Sequence, residues 1–256
     1  MSTPAPALDT AFLTRPLAHR GLHDKSAGRP ENSPAGFRAA IAGGYGIELD
    51  LQLSLDGRAM VFHDYDLRRL TGESGPIQMR TAADLGAMPL LGGTEGVPTL
   101  QQVLALVQGR VPLLIEIKDQ SGILGGAVGR LEQAAANDLR AYSGPVALMS
   151  FNPHSVQKMA GLAPHTPRGL TTDAFDPDEW SFVPAATLKR LRDIPDYDAL
   201  GASFISHDQH DLTRPRVSDL RNRGANILCW TIRSQAEESA ARRIAQNITF
   251  EGYTPQ

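Results

Sequence analysis

The sequence predicts an α/β protein built as a single (β/α)8 TIM-type barrel. Its 256 residues match the roughly 250 residues that such a barrel needs. Short apolar segments alternate with helical segments along most of the chain, which is the pattern of a parallel sheet with crossover helices. Several apolar segments end in charged residues or histidine, and the C-terminal ends of the strands are where this fold carries its chemistry.

Composition excludes several classes of function. A net charge of −3 provides no bulk attraction to nucleic acid or to anionic lipid. No run of about 18 apolar residues occurs, so no membrane insertion is expected. The first 16 residues lack the pattern of a secretory signal. The only cysteine, Cys229, excludes an intramolecular disulfide and fits a reducing compartment. We therefore expect a cytoplasmic protein.

The chain divides into three parts. Residues 1–15 are rich in proline and alanine and are expected to form a loose N-terminal arm. Residues 16–256 are expected to form the barrel domain, with residues 65–98 as a small insertion after the third strand. Nine candidate strands compete for eight places in the barrel, so one of them is expected to be wrong. The two weakest candidates are Ala202–Ser206 and Ile248–Phe250.

The first strand, Pro16–Arg20, ends in two polar side chains. Successive side chains alternate across a strand, so His19 and Arg20 reach one ligand only at its very end. A helix follows, with Asn32 or Ser33 as its N-cap. Glu31 and Asn32 could cap this helix or face the site, and the two roles are compatible.

The second strand carries two carboxylates on one face. Glu48 and Asp50 are two residues apart, and Leu49 and Leu51 occupy the opposite, apolar phase. Ionised carboxylates side by side repel each other unless a cation lies between them. This pattern predicts a site for Mg²⁺ or Ca²⁺, although a solvated edge strand would show a similar alternation.

His63 is expected at the same end of the barrel. Only 13 residues separate it from Asp50, too few for a crossover helix. Asp56-Gly57 instead predicts a hairpin. A single histidine at a strand end is often structural. Because His19 and His63 both lie beside carboxylates, a pair of general acid and base groups is favoured.

These motifs together resemble the glycerophosphodiester phosphodiesterase family. The ordered pattern H-R-G, P-E-N, E-L-D, L-D-G, V-F-H-D and L-x-R-x-T-x-x-x-G is present from residue 19 to residue 75, and V-P-T-L, E-I-K, S-F and W-T-I follow downstream. The residues that match are His19, Arg20, Gly21, Glu31, Asn32, Glu48, Asp50, Asp56, Gly57, His63, Asp64, Leu67, Arg69, Thr71 and Gly75. The resemblance covers almost the whole chain from residue 16 to about residue 245.

The resemblance implies hydrolysis of glycerophosphodiesters to glycerol 3-phosphate and an alcohol. It also implies that the insertion at 65–98 borders the substrate pocket and that Trp230 lies at the pocket mouth, where sequence alone allows core packing equally well. The chain departs from the family at two places. Arg233 stands where the family usually has Asn, and residues 248–252 read I-T-F-E-G where the family has an I-T-D segment. These departures bear on the head group and the pocket wall.

A third strand adds a carboxylate and a lysine at the same end. Glu116 and Lys118 lie on one face of the strand Val111–Ile117 and its extension. They could form a buried ion pair, which contributes little net stability. Convergence with Glu48 and Asp50 favours Glu116 as a metal ligand and Lys118 as a phosphate-binding cation.

The expected site therefore has three kinds of residue. Glu48, Asp50 and Glu116 hold one divalent cation, Mg²⁺ or Ca²⁺. Arg20, Lys118 and Trp230 bind a small-molecule glycerophosphodiester. His19 and His63 share acid and base work, with attack either by water or first by the glycerol hydroxyl of the substrate.

Three alternatives remain open. A lysophospholipase D or phospholipase C-like activity could use the same barrel, and a non-catalytic phosphodiester-binding barrel could retain the same residues. An unrelated metal hydrolase with H-x-H ligation is the third, although no H-x-H occurs in the chain.

Overall fold

Eight parallel strands close into a barrel, as the sequence predicts. The computed structural model describes residues 6–256. Closure depends on the two-residue strand β1 (Leu17–Ala18), which pairs in parallel with both β2 (Gly46–Leu53) and β9 (Asn247–Phe250). The remaining neighbours follow chain order around the barrel. This is the connectivity of a (β/α)8 fold.

The elements between these strands alternate as a βα pattern requires. The other strands in the described part of the chain are β3 (Ala59–Val61), β4 (Leu113–Ile117), β5 (Val146–Ser150), β6 (Arg168–Thr172), β7 (Phe204–Asp208) and β8 (Asn226–Ile232). The α-helices are α1 (Ala11–Thr14), α2 (Pro34–Ala42), α3 (Arg68–Thr71), α4 (Ala82–Gly86), α5 (Leu100–Val107), α6 (Arg130–Leu139), α7 (Pro153–Leu162), α8 (Ala185–Leu191), α9 (Pro215–Asn222) and α10 (Gln235–Ala241). None of these helices combines the length and the apolar character needed to cross a bilayer.

The ninth strand explains the surplus among the sequence candidates. β3 pairs antiparallel with β2 through the register Leu51↔Val61 and Leu53↔Ala59, so it belongs to a hairpin and lies outside the closed barrel. The two weak candidates correspond to β7 and β9, and both are barrel strands. The expectation that one candidate is not a strand was therefore wrong. The assumption that failed was that every strand must occupy a place in the barrel.

The alternation along β2 separates the core from the site. Leu49 and Leu51 are fully buried in the large apolar layer that the barrel shares with its helices. Glu48 and Asp50 point the other way and line a cavity in the barrel. Because side chains alternate with a period of two, the same strand supplies both the packing and the ligands.

The N-terminal segment differs from the loose arm expected of it. Over the described residues it forms α1, and Phe12 is fully buried with Leu17, Leu114 and Phe204 inside the barrel. Leu114 lies two residues before Glu116 on the same face of β4, so this cluster closes the opposite end of the barrel. The amide of Asn247 donates to two carbonyl oxygens of the segment at 2.6 and 2.7 Å. The apolar side chains override the loop-like composition.

Residues 65–98 form a small unit with its own apolar cluster. Leu67, Ile77, Leu85 and Val97 pack there against side chains of the β2–β3 hairpin region. The Arg69 guanidinium of this unit bonds to Asp64, and Asp64 in turn bonds to His63, which lines the cavity. The unit is therefore connected to the site by ion pairs.

Candidate active site

The structure places all eight predicted site residues around one cavity at the C-terminal ends of the strands. The cavity measures about 180 Å³, which is below the roughly 300–1,000 Å³ typical of sites for drug-sized ligands. Each of the three expected groups, the carboxylates, the cations and the histidines, contributes to this lining. The predicted residues in it are His19, Arg20, Glu48, Asp50, His63, Glu116, Lys118 and Trp230.

Three buried carboxylates converge in the lining of the cavity. Glu48, Asp50 and Glu116 each offer an oxygen atom, and these atoms lie within 4.8 Å of one another. Asp50 and Glu116 are register partners on the adjacent strands β2 and β4, which explains why residues so distant in sequence meet. Burial, together with the charges of Asp50 and Glu116, raises the pKa of Glu48 well above its usual range.

Two cations stabilise this cluster. The Lys118 ammonium lies 3.0 Å from Asp50 Oδ1 and 2.7 Å from Glu116 Oε1. The Arg20 guanidinium Nε lies 3.4 Å from Asp50 Oδ2, and the backbone N–H of the same residue donates to Glu48 Oε2 at 3.0 Å. Although burial opposes it, the charge of Lys118, followed by those of His63 and Arg20, lowers the pKa of Asp50. Asp50 is therefore the ionised member of the pair on β2.

The donor set fits a hard divalent cation. All three groups are carboxylates on rigid strands, and Mg²⁺ and Ca²⁺ prefer oxygen ligands. A cation held there would offset both the burial and the neighbouring negative charges that raise the pKa of Glu48. Residues 6–256 thus contain an acidic cluster that can hold a metal ion.

Asn32 also belongs to the site. The sequence alone allowed it either to cap the following helix or to face the site. Its side-chain amide donates to Asp50 Oδ2 at 2.9 Å, whereas the N-cap of α2 is Ser33. Arg20 and Asn32 both adopt left-handed backbone conformations, with φ of 55° and 52°. Such conformations are uncommon outside glycine and cluster at functional sites. Asn32 therefore orients a carboxylate of the acidic cluster.

His63 is reached by the predicted hairpin. Its Nδ1 lies 2.7 Å from Asp64 Oδ1, and its carbonyl oxygen accepts from the Gln52 side chain at 3.0 Å. Arg69 donates to both oxygens of Asp64 at 2.7 and 2.8 Å and to both oxygens of Glu31. We call the set His63, Asp64 and Arg69 the His63 arm.

His19 has an acidic partner that sequence reasoning missed. Its Nδ1 lies 2.6 Å from Glu251 Oε2, although 232 positions separate the two residues. Burial lowers the pKa of His19, while the Glu251 bond opposes that change. The available signal was an acidic residue directly after the last strand, at the end where the fold carries its chemistry. We call the set His19, Glu251 and Arg233 the His19 arm.

Two aromatic side chains, Phe151 and Trp230, also line the cavity. Trp230 lines the cavity, and its indole N–H donates to the Ser206 carbonyl at 3.0 Å. Its ring meets Phe151 edge-on at 5.7 Å, and Phe151 packs against Trp180 at 4.9 Å. The sequence left Trp230 between a place at the pocket and packing in the core. In the structure it lines the cavity, and its N–H is also hydrogen-bonded as core packing requires. Cys229 points away into the apolar layer, where burial raises its pKa to about 12.

Comparison with known proteins identifies relatives over nearly the whole chain. The model of the glycerophosphoryl diester phosphodiesterase family matches residues 19–249. A glycerophosphodiester phosphodiesterase of Caldanaerobacter subterraneus subsp. tengcongensis is 32% identical over 60% of this chain and 65% of its own length. One from Bacillus subtilis is 26% identical over 93% of this chain and 84% of its own.

A solved structure shows the same architecture. It is a phosphodiesterase of Oleispira antarctica in complex with the product sn-glycerol-3-phosphate. It superimposes with a TM-score of 0.76 and 25% identity, covering 94% of both chains.

Proposed function

The chain belongs to the glycerophosphoryl diester phosphodiesterase family. We propose that it hydrolyses glycerophosphodiesters to glycerol 3-phosphate and an alcohol and that it uses one divalent cation to do so. The observation that carries the proposal is the cavity that His19 and His63 line together with three converging carboxylates. This combination supplies proton transfer and charge stabilisation at one place. The related Oleispira antarctica enzyme binds sn-glycerol-3-phosphate as its product, which supports the same product here.

Glu48, Asp50 and Glu116 would hold the cation, which we propose to be Mg²⁺ or Ca²⁺. When bound, such an ion supplies Lewis-acid polarisation of a phosphoryl oxygen. The three side chains line the same cavity as Arg20 and Lys118, so the ion and the phosphodiester would share one compartment. Asn32, bonded to Asp50 at 2.9 Å, keeps one ligand oriented.

Arg20 and Lys118 would bind the phosphodiester. Both cations line the cavity, and charged donors offset the negative charge that develops on phosphoryl oxygens in the transition state. Although burial opposes it, the charges of Asp50 and Glu116 raise the pKa of Lys118. Lys118 is therefore charged at every pH at which the enzyme would work.

His19 and His63 would move the protons. In each ring Nδ1 is hydrogen-bonded to a carboxylate. Nε2 can therefore contact a substrate in the cavity that both rings line. One imidazole accepts a proton from the attacking oxygen as the new P–O bond forms. The other donates a proton to the leaving alkoxide as the old P–O bond breaks, so charge and protons balance over the cycle.

Trp230 would pack against the glycerol or alcohol portion of the substrate. It lines the cavity beside Phe151, and an aromatic face suits a compact, partly apolar group. The small volume of the cavity favours a glycerophosphodiester over a bulky ligand. We also propose a cytoplasmic location, which the single buried thiol of Cys229 supports.

The first experiment measures glycerol 3-phosphate release by the purified protein. Glycerophosphocholine and glycerophosphoethanolamine are supplied with Mg²⁺, with Ca²⁺ or with EDTA. We expect release with one of the metals and at least about a 100-fold loss with EDTA that metal addition reverses, because the carboxylate cluster loses its counterion. Phosphorus NMR during turnover shows directly whether a cyclic phosphate precedes glycerol 3-phosphate.

A matched pair of variants ties the metal to the cluster. Glu48→Gln removes one ligand, and Glu95→Gln removes a surface carboxylate that pairs with Arg38. We expect the first to raise the metal concentration required for activity and the second to leave it unchanged. Full activity in EDTA, or an unchanged metal requirement in Glu48→Gln, would contradict the proposed cofactor.

Two other outcomes would indicate a different function. Turnover of lysophosphatidylcholine alone would indicate a lysophospholipase D activity. Binding of a glycerophosphodiester without turnover would indicate a non-catalytic barrel.

A further inference from the structure

We infer that Glu251, anchored by Arg233, is the positioning residue that sets the orientation and the proton position of the His19 imidazole. The inference rests on the proposed function for its kinetic consequence, whereas its structural content is independent of the substrate. It concerns the two places at which this chain departs from the family it resembles. In the structure those two places are in contact with each other.

Strand register brings the three residues together. Ala18 of β1 and Ile232 of β8 are both register partners of Phe250 in β9. His19, Arg233 and Glu251 are the residues that directly follow these three strand positions. The His19 N–H donates to the Phe250 carbonyl at 2.9 Å, and the Glu251 N–H donates to the Ile232 carbonyl at 3.0 Å. The backbone therefore fixes the contact before any side chain is considered.

The two oxygens of the Glu251 carboxylate have different partners. Glu251 Oε2 lies 2.6 Å from His19 Nδ1 and 3.5 Å from His23 Nε2. Glu251 Oε1 accepts from Arg233 Nε at 2.8 Å. The bond to His19 is the main reason that the pKa of Glu251 is lowered, and His23 adds to it. The carboxylate is therefore ionised and can only accept.

An acceptor at Nδ1 determines the tautomer. Neutral imidazole carries one proton, and an ionised carboxylate requires that proton on Nδ1. Nε2 is then a lone pair facing the cavity, which is the form that a general base needs. The same carboxylate stabilises the imidazolium after proton transfer, as a carboxylate partner does in other catalytic dyads.

Arg233 has a supporting task. More than half of its side chain is exposed at 57%, so its charge is partly screened by solvent. Its backbone N–H donates to Glu237 at 2.6 Å at the start of α10. This bond holds the backbone of Arg233 at the place from which its guanidinium bonds to Glu251 Oε1.

The test combines nitrogen NMR with kinetics on the full-length protein. Histidine rings are labelled with ¹⁵N and observed at about pH 8, where an imidazole is neutral. A His19→Gln variant identifies the signals of His19. In the unsubstituted protein we expect the Nδ1-protonated form of His19, and in Glu251→Ala a mixture of both tautomers.

Kinetics provides the second readout. Glu251→Ala is expected to lower kcat about 10- to 100-fold, with KM changed by less than about threefold, because the substrate contacts remain. Glu251→Asp should restore part of kcat, since it keeps a carboxylate. Glu95→Gln is the control: it removes a carboxylate that pairs with Arg38 away from the cavity, and His19 should keep its tautomer.

Two results would overturn the inference. One is an unchanged His19 tautomer in Glu251→Ala, and the other is a kcat within about twofold of the unsubstituted enzyme. If Glu251→Ala does not fold, Glu251→Leu provides the same comparison, because a leucine side chain neither donates nor accepts a hydrogen bond. If no glycerophosphodiester is hydrolysed at all, the proposed function fails while the NMR result still decides the role of Glu251.

Discussion

In each of the two histidine arms the imidazole Nδ1 bonds to a carboxylate, and the two carboxylates come from different parts of the chain. In the His63 arm, the carboxylate belongs to the next residue, Asp64. In the His19 arm, it belongs to Glu251, 232 positions away. Asp64 is bound through both oxygens by Arg69, which also bonds to Glu31. Glu251 receives one side-chain bond from Arg233.

This difference shows how a barrel can position two imidazoles by two routes. The His63 arm depends on a short hairpin and on the insertion at residues 65–98, so its contacts are local apart from Glu31. The His19 arm depends on closure of the barrel, because β1 and β9 must pair before His19 meets Glu251. The His19 side chain is 14% exposed and the His63 side chain 30%. The histidine that closure places is therefore the more enclosed of the two.

The largest expected effect comes from removing either imidazole. His19→Ala and His63→Ala should each lower kcat/KM by about 10²- to 10⁴-fold, because each removes one proton-transfer group. The kcat/KM of the double variant should be only slightly below that of the less active single variant, since the two groups act as a unit. Steady-state hydrolysis of glycerophosphocholine measures this. The exposed His154 serves as the control, and near-normal turnover in either site variant would remove that histidine from the mechanism.

A smaller effect should distinguish the two arginines. Arg69→Ala removes four hydrogen bonds to two carboxylates, and we expect kcat to fall about tenfold. Arg233→Ala removes a single exposed ion pair, and we expect a loss of about fivefold or less. The same assay measures both variants, with Arg38→Ala as a control because Arg38 pairs with Glu95 away from the cavity.

The order of these two losses tests the comparison directly. If Arg233→Ala were the more damaging variant, the His19 arm would depend on its arginine more than its single bond implies. Equal losses would show that the additional bonds of Arg69 have no consequence for catalysis.

The smallest expected effect is on stability in acid. Bonds from His19 and His23 lower the pKa of Glu251. Burial opposes the change at Asp64, but bonds from His63 and Arg69 lower the pKa of that carboxyl too. A carboxyl whose pKa is lower in the folded state stabilises it above the unfolded value of about 4, and this contribution disappears as the pH falls further.

Urea unfolding at about pH 5 and about pH 3 measures this contribution. The free energy of unfolding should fall more steeply in the unsubstituted protein than in Glu251→Gln or Asp64→Asn, because each variant lacks one titrating carboxyl. Glu95→Gln should retain the steep fall. Equal slopes in all four proteins would mean that the arms contribute nothing to acid sensitivity.

The sequence was sufficient for features that depend on neighbouring residues. The alternation of Glu48 and Asp50 with Leu49 and Leu51 determined which face of β2 is buried in the apolar layer. The short distance from Asp50 to His63 determined the hairpin. The resemblance to a known family, carried by these same motifs, indicated a fold and a family that the comparisons confirmed.

Features that depend on closure were decided by the tertiary structure alone. Phe12 packs inside the barrel although its segment has the composition of a loose arm. β7 and β9 are each hydrogen-bonded to a strand on both sides in the barrel. The local sequence of neither segment shows that these neighbouring strands exist. Glu251 meets His19 because β9 pairs with β1.

The sequence by itself therefore determined the barrel, the acidic cluster and the two histidines, because alternation and strand-end position are properties of short segments. Tertiary structure decided that His19 meets Glu251 and that Glu251 meets Arg233. Those two contacts depend on which strand ends become neighbours when the first and last strands pair, and the separation of residues along the chain carries no information about that.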